Sequence, residues 1–509
     1  MFNKKSRTAN VALASVAGIG NQLCKILGSF VYRTVFLMIL SKEYLGINGL
    51  FTNIIQLFSL AELGIGAAIL YRMYKPFAQQ DTRQIAALLN FYKKVYRLIA
   101  LAVCVLAICL FPFIHHIVNV EELPSDVNLS TIYFLFVLQS VSSYFFVYKQ
   151  SLLTADQRGY TVTLIATLVD LFMNVARIVA LLITKDYAVV LASGIFISIA
   201  VNFLFSVVIS RMYREITTQK ETLDKGTRKQ ILSDTFALMC HKVGQIVVTG
   251  TDNLVMAKFV GLASVGIYSN YLMIYTALHG LIVSISGNII PSVGNFATTK
   301  DKDETYTLYM RCVSGGFWLA SATTVCLYAL FNPFIETWLD SSYLFPYTTV
   351  MVLCCQYFLQ TSRLVSNIFI NGCGLFMLDR ARALIESAIN LIVSIVFAKL
   401  FGVVGVMIGT CVSALATYYW REPYLLYTRF FHRRGWDYVW TTLLWSGLTV
   451  AFCWVFRYLL SFFPGGWGGF ILQGIVCFGG VNLIYLIFMR KTDFFAYFSQ
   501  KLLARFRKS

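Results

Sequence analysis

Charge is what this sequence has least of. Only 13% of its 509 residues are Asp, Glu, Lys or Arg, against about 25% in an ordinary globular protein. A soluble chain of this length would need a far more polar surface to cover its core. With 58% hydrophobic residues spread along the whole sequence, a set of soluble domains is excluded and a polytopic membrane protein is implied. Histidine is scarce too: the five residues form no ligand cluster, and His115–His116 falls near a helix end. The twelve cysteines lie mostly inside apolar runs with neither metal-type nor disulfide-type spacing, so they read as small packing residues. Alternating strand patterns are missing, as is any stretch long enough for a separate soluble domain. No cofactor is expected, and no metal.

What is present is a series of long apolar runs. A bilayer core about 30 Å thick takes about 20 helical residues to cross. Fourteen stretches meet that requirement: 11–40, 44–73, 92–118, 128–152, 160–184, 187–210, 231–258, 262–292, 308–334, 345–371, 382–399, 402–428, 438–462 and 468–489. The Lys4–Arg7 cluster before the first run imitates a signal peptide. That run is too long for one, and it carries Lys25 and Arg33.

Acidic residues are outnumbered 24 to 42, a formal surplus of +18. In a soluble protein this would raise nucleic-acid binding; in a membrane protein it first sets orientation. With both termini cytoplasmic, 32 basic residues fall at inner span ends and five at outer ends. Five remain within spans: Lys25, Arg33, Arg177, Lys242 and Arg363. The expected location is a membrane, with no nucleic-acid partner.

The chain also repeats itself. Leu45-Gly46-Ile47 matches Val265-Gly266-Ile267 at an offset of 220, and Pro76, Phe77-Ala78 and Asp81 resemble Pro291, Phe296-Ala297 and Asp301. Asp170 and Asn174 match Glu386 and Asn390 at an offset of 216. Six spans per copy is an even number, which predicts two parallel six-helix lobes, 1–215 and 231–430. A cytoplasmic linker, 216–230, joins them; two extra spans and a basic tail, 431–509, follow. Parallel repeats of this kind are used by alternating-access transporters.

An ionisable group at mid-membrane costs about 2.5–3.5 kcal/mol on insertion scales, so it faces a cavity or a partner. In the first span Asn21, Lys25, Ser29 and Arg33 recur every four residues and share one helical face. In the seventh, His241, Gln245, Thr249 and Asn253 do the same, flanked by Lys242 and Asp252. Such stripes serve either a polar cleft or interhelical hydrogen bonding; Lys25 and Arg33 are too costly for the second role alone. Asp170, Asn174 and Arg177 share a face of the fifth span, with Asp170 and Arg177 two turns (about 10 Å) apart. Ion coupling and an intramembrane packing network both fit this set. Glu386 with Asn390 copies half of it. Glu62 either titrates or pairs with Lys25 or Arg33, and Arg363 is expected to snorkel inward.

The segment YLGINGLFTNIIQLFSLAELGIGAAILYRMYKPFAQQD (44–81) resembles the second-span region of polysaccharide-transport proteins. These are flippases for lipid-linked oligosaccharides within the multidrug/oligosaccharidyl-lipid/polysaccharide exporter superfamily. The resemblance implies a MATE-like fold with a cleft between two lobes, lined by helices 1, 2, 7 and 8. It implies a substrate glycan on undecaprenyl diphosphate, carried from the cytoplasmic to the outer leaflet. Lys25, Arg33 and Lys242 are placed to meet the diphosphate. Coupling to H⁺ or Na⁺ through Glu62, Asp170, Asp252 or Glu386 is a further expectation, as is contact with membrane lipids and with polysaccharide polymerase machinery.

A multidrug or cation antiporter of the same fold is the nearest rival, but should favour an acidic or aromatic cavity. Here five basic residues stand within the spans against four acidic ones, Glu62, Asp170, Asp252 and Glu386. A polymerase, ligase or glycosyltransferase would need a sizeable outer loop, and the longest, around 118–128, is about eleven residues. A channel would need a filter-like segment, and none is present.

Overall fold

A computed structural model describes residues 7–58, 65–114, 123–124, 127–156, 158–287, 289–375, 378, 382–490 and 493–497. The side chains of 7–17, 19, 67, 234, 236–249, 284–287 and 291 are outside that description. Among the described residues there is no strand.

The principal helices are α1 (Arg7–Ile39), α2 (Lys42–Phe58), α3 (Ile65–Gln79), α4 (Thr82–Leu110), α5 (Leu129–Tyr144), α6 (Gly159–Thr184), α7 (Tyr187–Met212), α8 (Lys225–Phe259) and α9 (Leu262–Gly287). They continue as α10 (Ile290–Thr299), α11 (Lys302–Trp338), α12 (Tyr347–Ser362), α13 (Leu364–Gly372), α14 (Arg382–Phe401), α15 (Val403–Ala416), α16 (Tyr418–Leu425), α17 (Trp436–Leu460) and α18 (Gly466–Met489). Among the described residues, each of the fourteen predicted spans falls on helix. Ten of the helical stretches are long and apolar enough to cross a membrane by themselves. The other four spans fall on α2–α3, α8, α9–α10 and α12–α13.

The helix starts are written in the sequence. Asp81, Asp186, Asp224 and Asp301 each accept a backbone N–H from the first turn of the helix that follows, and Asn128 does the same for α5. Such caps satisfy donors that the helix cannot satisfy internally. The repeat extends to these devices: Asp81 and Asp301 cap α4 and α11 at the same offset of 220 that relates Gly46 to Gly266. Tight turns through positive φ, at Lys185 between α6 and α7 and at Gly402 between α14 and α15, lie 217 residues apart.

The helices show large apolar side chains outward: Leu98, Ile108, Phe196 and Phe478 are each more than 60% exposed. In water this surface would cost about 25 cal/mol per Å². Against lipid it costs nothing, and the chain is a multi-pass membrane protein. Two compact units divide it, Met1–Gly266 and Ile267–Ser509, with the boundary inside α9. In the first, α6 packs between α1 and α7, and α8 packs on α2 and α3. In the second, α14 pairs with α15, while α11 contacts α12, α17 and α18. Ser321 of α11 hydrogen-bonds both Thr449 of α17 and Tyr485 of α18, a buried hydroxyl cluster that ties the last two helices to α11.

Candidate intramembrane site

In the first unit the site is built on α1, α6 and α7. Close approach of α1 to α6 is set by Gly28, where an added Cβ would stand 3.0 Å from Asn174 Nδ2. That approach lets the polar stripe of α1 reach α6. The Asn21 side-chain oxygen Oδ1 accepts the Thr167 hydroxyl at 2.8 Å, and Lys25 Nζ lies 3.4 Å from Asp170 Oδ2. Lys25 keeps 47% of its side chain exposed and Asp170 33%, so the pair is reachable rather than sealed. Ser29 is exposed and Arg33 half-buried on the same helix.

Arg177 goes elsewhere. Its Nη2 donates to Gln139 Oε1 of α5 at 3.4 Å, its guanidinium stands 5.9 Å from the Tyr32 ring, and it crosses α7 directly over Gly194. A Cβ at Gly194 would stand 2.3 Å from Arg177 Nε. Asp170 and Arg177, neighbours on one helical face, therefore take separate partners.

Asp252 and Asn253 of α8 are buried. Asn253 lies against α2, with Nδ2 3.6 Å from where a Gly49 Cβ would be. Glu62 falls outside the described residues, as do the side chains of His241, Lys242, Gln245 and Thr249.

The second unit holds a charge cluster of a different kind. Arg363 does not snorkel. It forks onto Glu422, with Nε 3.0 Å from both carboxylate oxygens and Nη2 reaching Oε1, and it stacks 3.9 Å from the Tyr418 ring centroid. Asn367 Nδ2 donates to the same carboxylate at 3.4 Å. Arg382 lies 5.6 Å from Tyr418 and binds Glu386 at 2.6 Å, one turn along α14. Asn390, fully buried, donates to Thr410 Oγ1 at 3.0 Å. Glu422 lies within the predicted span 402–428 and is fully buried, so it joins the intramembrane acids. Beside Arg421, at what reads as a basic inner span end, it looks like an interfacial residue. The signal that finds it is Arg363, a span arginine that requires a counter-charge.

The two repeat-related carboxylates thus differ. Asp170 meets a lysine on another helix, whereas Glu386 is neutralised within its own helix. Arg363, Arg382, Glu386 and Glu422 sum to zero charge, while in the first unit Asp170 stands beside Lys25. Among the described residues no group of His, Cys, Asp and Glu could hold a metal ion.

The model of the polysaccharide biosynthesis protein family matches residues 8–297, more than half of the chain. The chain belongs to that family. No curated protein sequence matches it. Among solved structures, a lipid II flippase, MurJ, in an inward closed conformation is similar at a TM-score of 0.69 and 16% identity, covering 94% of this chain and 100% of that one. An inward-facing multidrug resistance MATE transporter is similar at 0.61 and 15% identity, covering 82% and 99%. A mutant form of the Vibrio cholerae MATE transporter VcmN is similar at 0.54 and 13%, covering 83% and 98%. This family member therefore has a MATE-like fold.

Proposed function

We propose that the protein is a flippase that moves an undecaprenyl-diphosphate-linked oligosaccharide from the cytoplasmic to the outer leaflet of a bacterial cytoplasmic membrane, for surface polysaccharide synthesis. The observation that carries the reading is the basic surplus on α1 and α6, with Lys25 reachable beside Asp170. A diphosphate cannot cross hydrocarbon bare; cationic side chains in a polar cleft offset its desolvation. Lys25 supplies a point charge and Arg33 a planar fork suited to phosphate oxygens. A diphosphate arriving at Lys25 competes with Asp170 for the ammonium. Lys242 is a third candidate phosphate ligand. The similarity to a lipid II flippase supports this reading.

The decisive experiment uses proteoliposomes holding a defined undecaprenyl-diphosphate glycan and an impermeant glycosidase outside. The protein should speed glycan exposure well above that of empty vesicles. Exposure at the empty-vesicle rate, with H⁺-driven efflux of a cationic dye instead, would establish the antiporter alternative that the MATE likeness keeps in view.

A further inference from the structure

The two helices beyond the repeat, α17 and α18, enclose with α11 and the first turn of α12 a cavity of about 800 Å³. This lies within the range of small-ligand sites. Its lining includes the rings of Tyr347, Trp454 and Trp467 and three polar groups, Glu336, Arg457 and Gln473. The cavity sits at the Pro464–Gly465–Gly466 turn between the two helices, where interfacial Trp and Tyr residues place it at lipid-headgroup depth. The predicted orientation makes this the outer face.

The polar groups are of complementary kinds. The Arg457 guanidinium is held 3.6 Å from the Tyr347 ring centroid and 5.8 Å from that of Trp454, and donates to the Tyr328 hydroxyl at 3.4 Å. A guanidinium has five N–H donors, so its fork retains donors for an anion. Glu336 is exposed and, among the described residues, forms no ion pair with Arg457. Gln473 is buried, 6% exposed; its Nε2 donates to the Leu460 carbonyl at 3.5 Å, and its carbonyl oxygen has no hydrogen-bond partner. A buried acceptor left unpaired is costly, which points to a donor supplied from outside the chain.

One cationic fork and two acceptors in one aromatic cavity call for a ligand that carries both an anion and an N–H cation. We propose that the cavity binds a phosphoethanolamine headgroup, its phosphate on Arg457 and its ammonium on Glu336 and Gln473. A choline headgroup has no N–H to donate, and a phosphoglycerol headgroup has no cation. A lipid and a soluble glycerophosphodiester share the recognised chemistry.

The test uses the whole chain in detergent micelles. Native mass spectrometry reads its binding of phosphatidylethanolamine, phosphatidylcholine and phosphatidylglycerol of equal acyl chains. Phosphatidylethanolamine should bind at least about tenfold more tightly than the other two. Glu336→Gln, at an exposed position that leaves the fold intact, should bring it to within about threefold of phosphatidylcholine, and Arg457→Gln should weaken it about tenfold. Competition by glycerophosphoethanolamine would assign recognition to the headgroup alone; preference without competition would assign it to the intact lipid. Equal binding of the three lipids, a preference that survives Glu336→Gln, or tighter binding of a free oligosaccharide would overturn the proposal.

Discussion

Gly46 and Gly266 touch reciprocally. A Cβ on Gly46 would stand 2.1 Å from the Leu262 carbonyl oxygen, and one on Gly266 would stand 2.1 Å from the Lys42 carbonyl oxygen. Lys42 and Leu262 are themselves 220 residues apart, as are the two glycines. Each copy of the repeated motif therefore packs its glycine on the first residue of the other copy's helix, α2 against α9. The sequence match that reveals the duplication is also a surface on which the two copies of the motif meet.

Gly46→Ala and Gly266→Ala should each force the two backbones apart, since the obstructing atom is a carbonyl oxygen and not a side chain that can rotate. Each should cost about 1–3 kcal/mol, the ordinary cost of overpacking. Because both act on one contact, the double substitution should cost less than the two singles added. Thermal unfolding in detergent reads both effects; full additivity would show that the glycines are not coupled.

Lys25→Ala should separate transport from stability. A half-exposed pair contributes about 0–1 kcal/mol, so the melting temperature should barely move. Glycan exposure in proteoliposomes should nonetheless be lost, and Arg33→Ala should behave alike. Retained flipping in both variants removes the cleft assignment.

Glu422→Ala should be among the most damaging single changes in the second unit. It leaves the half-buried Arg363 guanidinium against Tyr418 without a counter-charge, which costs up to about 3 kcal/mol. The combined Arg363→Met and Glu422→Leu variant should recover most of that loss, as apolar replacements of buried pairs do. Detergent unfolding midpoints of the single and double variants give the comparison.

Asp224 lies outside the membrane spans, where the Thr227 backbone N–H and hydroxyl hold its carboxyl below the usual carboxylate range. A depressed pKa means that the cap's contribution is present above the unfolded value and fades as pH falls through the folded one. Protection of the amides at residues 225–228, taken relative to the intrinsic exchange rate at each pH, should therefore be steady at neutral pH and fall below about pH 4. Asp224→Ala should remove that pH dependence; an unchanged profile would mean that Asp224 does not hold the start of α8.

Much of the fold is legible in the order of residues, because the bilayer imposes a length and a polarity that each span must satisfy alone. Asp81 and Asp301 announce the starts of α4 and α11 by the same local logic, since a cap bonds only to its own helix. The stripe from Asn21 to Arg33 is legible for a related reason: helical geometry alone aligns it. Its partners are not. Asp170 pairs with Lys25 across 145 residues while Arg177, two turns away, turns to Gln139 and Tyr32. Arg363 finds Glu422 59 residues on, a carboxylate that its neighbour Arg421 disguises as interfacial. Which charge meets which depends on how closely two helices approach, and Gly28, Gly46 and Gly194 set that approach at three places in the first unit. The sequence by itself thus determined the helical, membrane-spanning nature of the chain, its repeated motifs and the position of most of its intramembrane charges. Only the tertiary structure decided which of those charges are neutralised and which stay reachable, because a salt bridge acts over a few ångströms and the chain must fold before those distances exist.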